Sequence, residues 1–165
     1  MFFLIHLLAS VALAWGLGFA HLGGGLTAFA LLYLLARLLG LGLPRLSRYA
    51  RSLELGLWFC LWFIGQILLA SYHVASLVLA RRVDVAPAVL AYPLTRRDAN
   101  TATLLGALLT LTPGTLALEY DESSGLLYIH ALDARQPEDV TQMLSELERR
   151  LLAWLDASKS QGVQP

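Results

Sequence analysis

Four histidines, a Thr-Pro-Gly-Thr stretch and one isolated glutamate are the groups in this chain equipped to bind a ligand or pass a proton. A metal site on a helix needs a second ligand one turn away. None of His6, His21, His73 and His130 has a partner of that kind. His6 lies inside an apolar segment and His21 at its end; with no acid nearby, both read as helix-contact residues. His73 has Ser71, Tyr72 and Ser76 beside it, a set suited to hydrogen bonding along a helix–helix interface. A place on a proton path is the sharper alternative for His73, but the cluster lacks a carboxylate. His130 shares one face of an alternating strand with Tyr128, opposite Leu127, Ile129 and Ala131, and reads as a sheet-surface residue. Asp133 follows that strand and suits the turn before the last helix.

Thr112-Pro113-Gly114-Thr115 has too few glycines and no lysine for a phosphate cradle. It suits a tight helix-to-strand turn: proline blocks the helix, glycine permits a positive φ and the two hydroxyls hold the bend. The functional alternative is a docking loop against a neighbouring subunit. Glu54 follows Arg51 by three residues, which allows an ion pair on a helix surface; the alternative is a contact with a partner's polar helix. Cys60 sits alone in an apolar run and has no disulfide or metal partner. Ser10, Ser123 and Ser158 have no triad context. Catalytic residues, metal ligands and cofactors are therefore all expected to be none, and an enzyme is not expected.

The elements that carry these residues divide the chain sharply. It has 165 residues, 57% of them hydrophobic and 15% charged, with a mean hydropathy of +0.61. Soluble domains usually carry about 25% charged residues, so a membrane protein or an anchored soluble domain is expected. Net charge is zero, but residues 1–83 carry +5 and residues 84–165 carry −5. No basic tract suggests nucleic acid.

Three apolar segments are expected in the front half, at about Phe2–Ala20, Leu26–Leu43 and Leu53–Ala80. The first reaches about 28 Å, near the hydrocarbon thickness. Ala12-Leu13-Ala14 mimics a signal cleavage site, but no Lys or Arg precedes it, so the segment is read as retained. His21-Leu22-Gly23-Gly24-Gly25 reads as a short hairpin turn, and Pro44–Arg51 as a basic connector. Arg45, Arg48 and Arg51 precede the third segment and Arg81 and Arg82 follow it, so both of its flanks favour the cytoplasm. Either one cluster violates that rule or a segment lies partly along the interface.

From Val83 the pattern changes to strand, helix, strand, strand, helix. The first strand is expected over Val83–Tyr92, at an edge because of Pro87. A helix over Ala99–Leu111 has Asp98 as its cap and, at about 20 Å, is too short to span. Strands at Thr115–Tyr120 and Leu126–Leu132 are joined by Asp121–Gly125. Pro137 opens the last helix, with an apolar stripe of Val140, Leu144, Leu147, Leu151 and Trp154. Residues from Asp156 to Pro165 read as a frayed tail. The order resembles a ferredoxin-like βαββα unit lacking its last strand, with sheet order 1-3-2. The domains expected are a membrane region at 1–82, a cytoplasmic α+β domain at 83–157 and a flexible tail at 158–165.

Three stretches taken together are specific: Ala91-Tyr92-Pro93-Leu94, Leu111-Thr112-Pro113-Gly114-Thr115 and Leu127-Tyr128-Ile129-His130-Ala131-Leu132-Asp133. Placed behind a hydrophobic front half, they resemble the MnhE or PhaE family, the E-type subunits of the Mrp-type multisubunit sodium/proton antiporters, over nearly the whole chain. The resemblance implies a multi-pass protein of the bacterial plasma membrane with a cytoplasmic C-terminal domain. It implies an accessory role in a Na+/proton antiporter, supporting assembly and ion transport, with the other subunits and the bilayer as partners. Large antiporter-like subunits would carry the ion path. Tyr92, Pro93, Thr112–Thr115, His130 and Asp133 would be structural or subunit-contact residues, and Arg51, Glu54 and His73 polar contacts in the membrane. Three segments without a buried Lys or Asp agree, since a stand-alone transporter needs several buried ionisable groups. The rival is a membrane-anchored binding or adaptor module using the ferredoxin-like domain.

Overall fold

The computed structural model describes residues 2–19, 21–82 and 84–159. Among these the order is α1 (Phe2–Gly16), α2 (Leu22–Leu39), α3 (Pro44–Leu79), β1 (Ala88–Pro93), α4 (Ala99–Leu111), β2 (Thr115–Asp121), β3 (Leu126–Ala131) and α5 (Pro137–Lys159). Contacts group them into two compact units. One holds the chain up to Leu57 together with the residues from Trp154; the other is Trp58–Ala153.

In the first unit α1 and α2 form a close hairpin with the small residues Ala14, Gly24 and Ala28 buried. The turn residues described, Leu17–Phe19 and His21, come before the glycine run. His21 caps α2: its Nδ1 accepts the amide N–H of Gly24 at 2.9 Å. Gly23, Gly24 and Gly25 therefore belong to the first turn of the helix, and a side chain at Gly24 would collide with the Phe19 backbone. The basic stretch from Pro44 to Arg51 is likewise helix and not connector. Pro44 occupies the first helical position, where its missing N–H costs nothing, and the link from α2 is Gly40–Leu43. Both α2 and α3 are long and apolar enough to cross a membrane, whereas α1 is shorter.

In the second unit the sheet order is β1-β3-β2, with β3 antiparallel to both neighbours. β1 is an edge strand. It starts at Ala88, just after Pro87, and ends at Pro93; the expected start at Val83 lies outside the described residues. One sheet face, with Leu90, Tyr92, Leu127 and Ile129, turns inward. α4 packs on β2, where Gly106 approaches Ala117. A bulge between Ala117 and Glu119 shifts the register. Leu105, Leu109, Ile129, Leu144, Leu147 and Leu151 are almost fully enclosed, each contributing about 1.5–3 kcal/mol of burial.

α4 begins and ends where its local signals put it, with the Thr101 amide donating to Asp98 Oδ1 at 2.9 Å. α5 opens with Pro137, Glu138 and Asp139 in its first turn. It continues through Asp156 to Lys159, so Asp156–Lys159 are helix and not the expected frayed tail; residues 160–165 lie outside the described residues, as does Ala20, the expected end of the first segment.

Candidate functional site

The Thr-Pro-Gly-Thr corner is built from backbone groups that α4 leaves unpaired at its C-terminal end. Thr112 Oγ1 donates to Leu109 O at 2.6 Å, and Thr115 Oγ1 lies 2.8 Å from the same carbonyl and 3.0 Å from Thr112 Oγ1. Pro113 ends the helix. Gly114 has φ +90°, in the region that favours glycine, and a Cβ there would touch Val74. Its carbonyl accepts the Leu132 amide at 2.8 Å, pinning the corner to the end of β3.

Asp133 lies beside that corner. Its carboxylate accepts from the Arg135 guanidinium, with Nε to Oδ1 at 3.0 Å, and from the Ala86 amide at 3.4 Å. Arg135 also donates to the Asp84 carbonyl at 3.1 Å. The segment before β1 is thereby tied to the segment before α5. The Arg135 hydrogen bond holds the Asp133 carboxyl down at about 2.

A crevice of about 310 Å³ brings several expected residues together. Thr112 to Thr115 and Asp133 line it, facing His73 and Gln66 of α3 and Met143 of α5. The His73 ring is exposed, and its backbone carbonyl accepts from Ser76 Oγ at 2.6 Å. His130 stands elsewhere. It lies on the outer sheet face, in register with Val89 and Leu116, half-buried and with no hydrogen bond among the described residues. Among the described residues, no cluster of three His, Cys, Asp or Glu side chains could hold a metal. The crevice offers packing and hydrogen bonding.

Tyr92 and Pro93 lead to a site that sequence reasoning missed. The Tyr92 hydroxyl donates to Glu148 Oε2 at 2.9 Å. Glu148 is 1% exposed and also accepts from the Thr95 amide at 2.8 Å, the Thr95 hydroxyl at 3.0 Å and the Arg96 amide at 3.4 Å. Burial, then this hydrogen bond, push the Tyr92 phenol well above its usual range. One carboxylate on α5 thus gathers the end of β1 and the turn after it. A signal was available: Glu148 follows Leu144 by four and precedes Leu151 by three, on the apolar stripe itself.

In the first unit the expected Arg51–Glu54 pair is replaced. Glu54 Oε1 receives the Tyr33 hydroxyl at 2.7 Å and lies 3.2 Å from Arg37 Nε, both on α2, while Arg51 is exposed. The one-turn spacing allowed the local pair, but the carboxylate points across the helix interface. His6 is buried and donates from Nε2 to the Phe29 carbonyl at 3.1 Å, fixing α1 on α2.

One family pattern runs through both the apolar helices and the α/β unit. The chain belongs to the MNHE family of Na+/H+ ion antiporter subunits, whose pattern covers residues 2–153. Individual relatives bear the same kind of name. The Na(+)/H(+) antiporter E-type subunit of Alkalihalophilus pseudofirmus is 30% identical over 91 residues, 54% of this chain and 58% of that protein. Its counterpart in Bacillus subtilis is 34% identical over 79 residues, 48% of this chain and 50% of that protein. The chain thus spans about half the length of these two relatives. A chain in the structure of the Mrp complex from Dietzia sp. DQ12-45-1b is 30% identical, with 58% of this chain and 90% of that one covered and a TM-score of 0.45.

Proposed function

We propose that this chain is an accessory membrane subunit of a multisubunit Na+/proton antiporter, acting in assembly and support of ion transport with other Mrp-type subunits. The observation that carries the reading is the family match, which runs from α1 into α5 and so includes both the apolar helices and the α/β unit. The polar groups agree with it. His6 and Glu54 are each engaged in holding helices together, which is scaffolding chemistry. In this reading residues 1–82 are the membrane region of a multi-pass plasma-membrane protein. Residues 83–157 are a ferredoxin-like domain on the cytoplasmic side, and 158–165 a tail. Thr112–Thr115 and Asp133 set the shape of one surface used for subunit contact.

The test is affinity purification of the tagged chain in mild detergent. Large antiporter-like membrane proteins should co-purify, and liposomes holding the chain alone should show no Na+-driven proton flux above empty controls. A chain that purifies alone, or one that transports alone, would sink the assignment.

A further inference from the structure

We propose that the second half of α3, Trp58–Leu79, lies in the plane of the cytoplasmic membrane surface, its outer stripe set into the lipid, and does not cross the bilayer. The proposal deepens the membrane reading above and rests on it.

Its first support is a two-faced helix. Phe59 and Phe63 are buried, and Gln66, Val74 and Leu77 turn the same way, toward the crevice with the Thr-Pro-Gly-Thr corner and α5. The opposite face exposes Trp58, Leu61, Ile64, Leu68, Tyr72 and Leu79 at helical spacing, Tyr72 being 78% and Leu79 85% accessible. That stripe carries no charge. Such a surface needs a cover.

The second support is what accompanies the helix. The Arg150 guanidinium lies 4.7 Å from the centre of the Trp62 ring, and Arg150 is ion-paired at 2.6 Å with Glu146, which also holds Arg149. Nearer the other end, Val140 and Met143 of α5 share a crevice with His73, Val74 and Leu77. The α5 residues packed beside Trp58–Leu79 thus belong to a charged, amphipathic helix whose outer residues, Glu138, Asp139, Gln142 and Arg149, are exposed. At 1.5 Å per residue, Trp58–Leu79 is about 33 Å long, the full hydrocarbon thickness. If it crossed, the Glu146–Arg149–Arg150 cluster would be drawn into lipid with it, against the strong cost of charge there. Laid flat, the helix keeps those groups in water while its stripe enters the acyl boundary to a depth of about 5–10 Å.

The third support is charge. Arg45 and Arg51 are exposed on the first turns of α3, and Arg81 and Arg82 are exposed just past its end. A crossing helix sends one cluster to the outer face, against the preference of Arg for the cytoplasm; an in-plane helix keeps both inside. Arg at both ends suits anionic headgroups, and Trp58 and Tyr72 are residue types that favour the headgroup level. This complementarity selects lipid over an apolar helix of another subunit as the cover.

The test uses single cysteines in a Cys60→Ser background of the full chain, expressed with its partner subunits. Arg51→Cys and Arg82→Cys should both react with a membrane-impermeant maleimide in inverted vesicles and neither in right-side-out ones. A nitroxide at Leu68→Cys should be accessible to oxygen, shielded from an aqueous relaxation agent, and shallow in depth. Labelling of positions 51 and 82 from opposite sides would overturn the proposal, because α3 would then cross. Same-side labelling with position 68 shielded from both agents would also overturn it, because protein would be covering the stripe. Co-purification with antiporter-like subunits is a separate readout, so failure of the functional assignment is told apart from failure of this topology.

Discussion

Glu54 and Glu148 are the same residue type put to the same use in two different surroundings. Each carries a carboxylate that ties its helix to a different element. Glu54 on α3 has two donors on α2, Tyr33 and Arg37, and its side chain is 35% exposed. Glu148 on α5 is enclosed and takes donors from Tyr92, Thr95 and Arg96. The apolar helical unit can lose its polar tie and still pack, because helix association in lipid rests largely on close fit. The α/β unit cannot do so as cheaply, because the buried Tyr92 hydroxyl would be left without its acceptor. The value of a polar anchor is thus set by what its partners do when it is gone.

That contrast breaks most easily at Glu148. Glu148→Leu leaves the buried Tyr92 hydroxyl without its acceptor and also removes the bonds to the exposed Thr95. A loss of about 3 kcal/mol is expected, the upper end for a stranded buried donor, against about 1 kcal/mol for Glu148→Gln, which keeps one acceptor oxygen. Chemical denaturation of the detergent-solubilised chain measures both. A Leu variant no worse than the Gln variant would show that the hub is ornamental.

Next in size is Gly114→Val. The residue sits at φ +90° with Val74 close by, and a β-branched side chain there strains the backbone by about 1–3 kcal/mol. Quantitative blotting of the assembled complex should show less of it, with antiport per complex unchanged. Normal assembly with lost activity would give the corner a direct part in transport.

How much of this was legible in the sequence follows from how local each signal is. Asp98 and Pro113 mark the ends of α4 from positions next to it, and Asp121 to Gly125 mark the hairpin in the same way: both Ser123 and Ser124 hydroxyls bond the Asp121 carboxylate. The sheet order needed only strand directions and a crossover rule. Local appearance misled where a distant partner decides. Glycine in series reads as a turn until His21 caps it, and an arginine-rich stretch reads as a connector although Pro44 starts a helix there. Glu54 has an attractive neighbour in Arg51 but is claimed by α2. Glu148 was hidden because its partners lie more than fifty residues away.

Glu54 gives the softer half of the contrast. Glu54→Gln should keep the Tyr33 bond and lose the ion pair, and Glu54→Leu should lose both. Hydrogen bonds between membrane helices average about 0.6 kcal/mol and reach about 1.7, so neither variant should approach the Glu148→Leu loss. Steric-trap or denaturant unfolding in the same detergent provides the ranking. A Glu54→Leu cost equal to that of Glu148→Leu would mean the first unit is as dry and as dependent on its anchor as the second.

Asp133 and Asp121 should make the α/β unit sensitive to acid at low pH. Asp133 and Asp121 are both held near 2 against an ordinary value of 3.8, Asp133 first by Arg135 and Asp121 first by Ser123. A depressed carboxyl stabilises the fold fully above its unfolded value, and that contribution is lost as pH falls through the folded value. The unfolding midpoint should therefore be insensitive to these groups from pH 9 down to about 5 and fall between about 4 and 2. Arg135→Gln should shrink that acid-side fall. If it leaves the fall unchanged, the Asp133 clamp is not its source.

The smallest effect is expected at His130, and it tests whether the outer sheet face has any polar role. The ring stands between Val89 and Leu116 in register and makes no hydrogen bond among the described residues. Replacement by Leu therefore strands no partner, and both His130→Gln and His130→Leu should stay within about 0.5 kcal/mol of the parent, as surface substitutions do. The more sensitive measurement is Na+-dependent proton flux of the whole complex in membrane vesicles from pH 6 to 9. Histidine is the side chain that ordinarily titrates in that range, so a role in proton handling would appear as a displaced profile before it appeared as lost stability. Superimposable profiles for the parent and the Gln variant, at equal complex abundance, are expected. A displacement of about one unit would make His130 a proton-responsive group and give the α/β unit a function that its other anchors, all engaged in holding elements together, do not suggest.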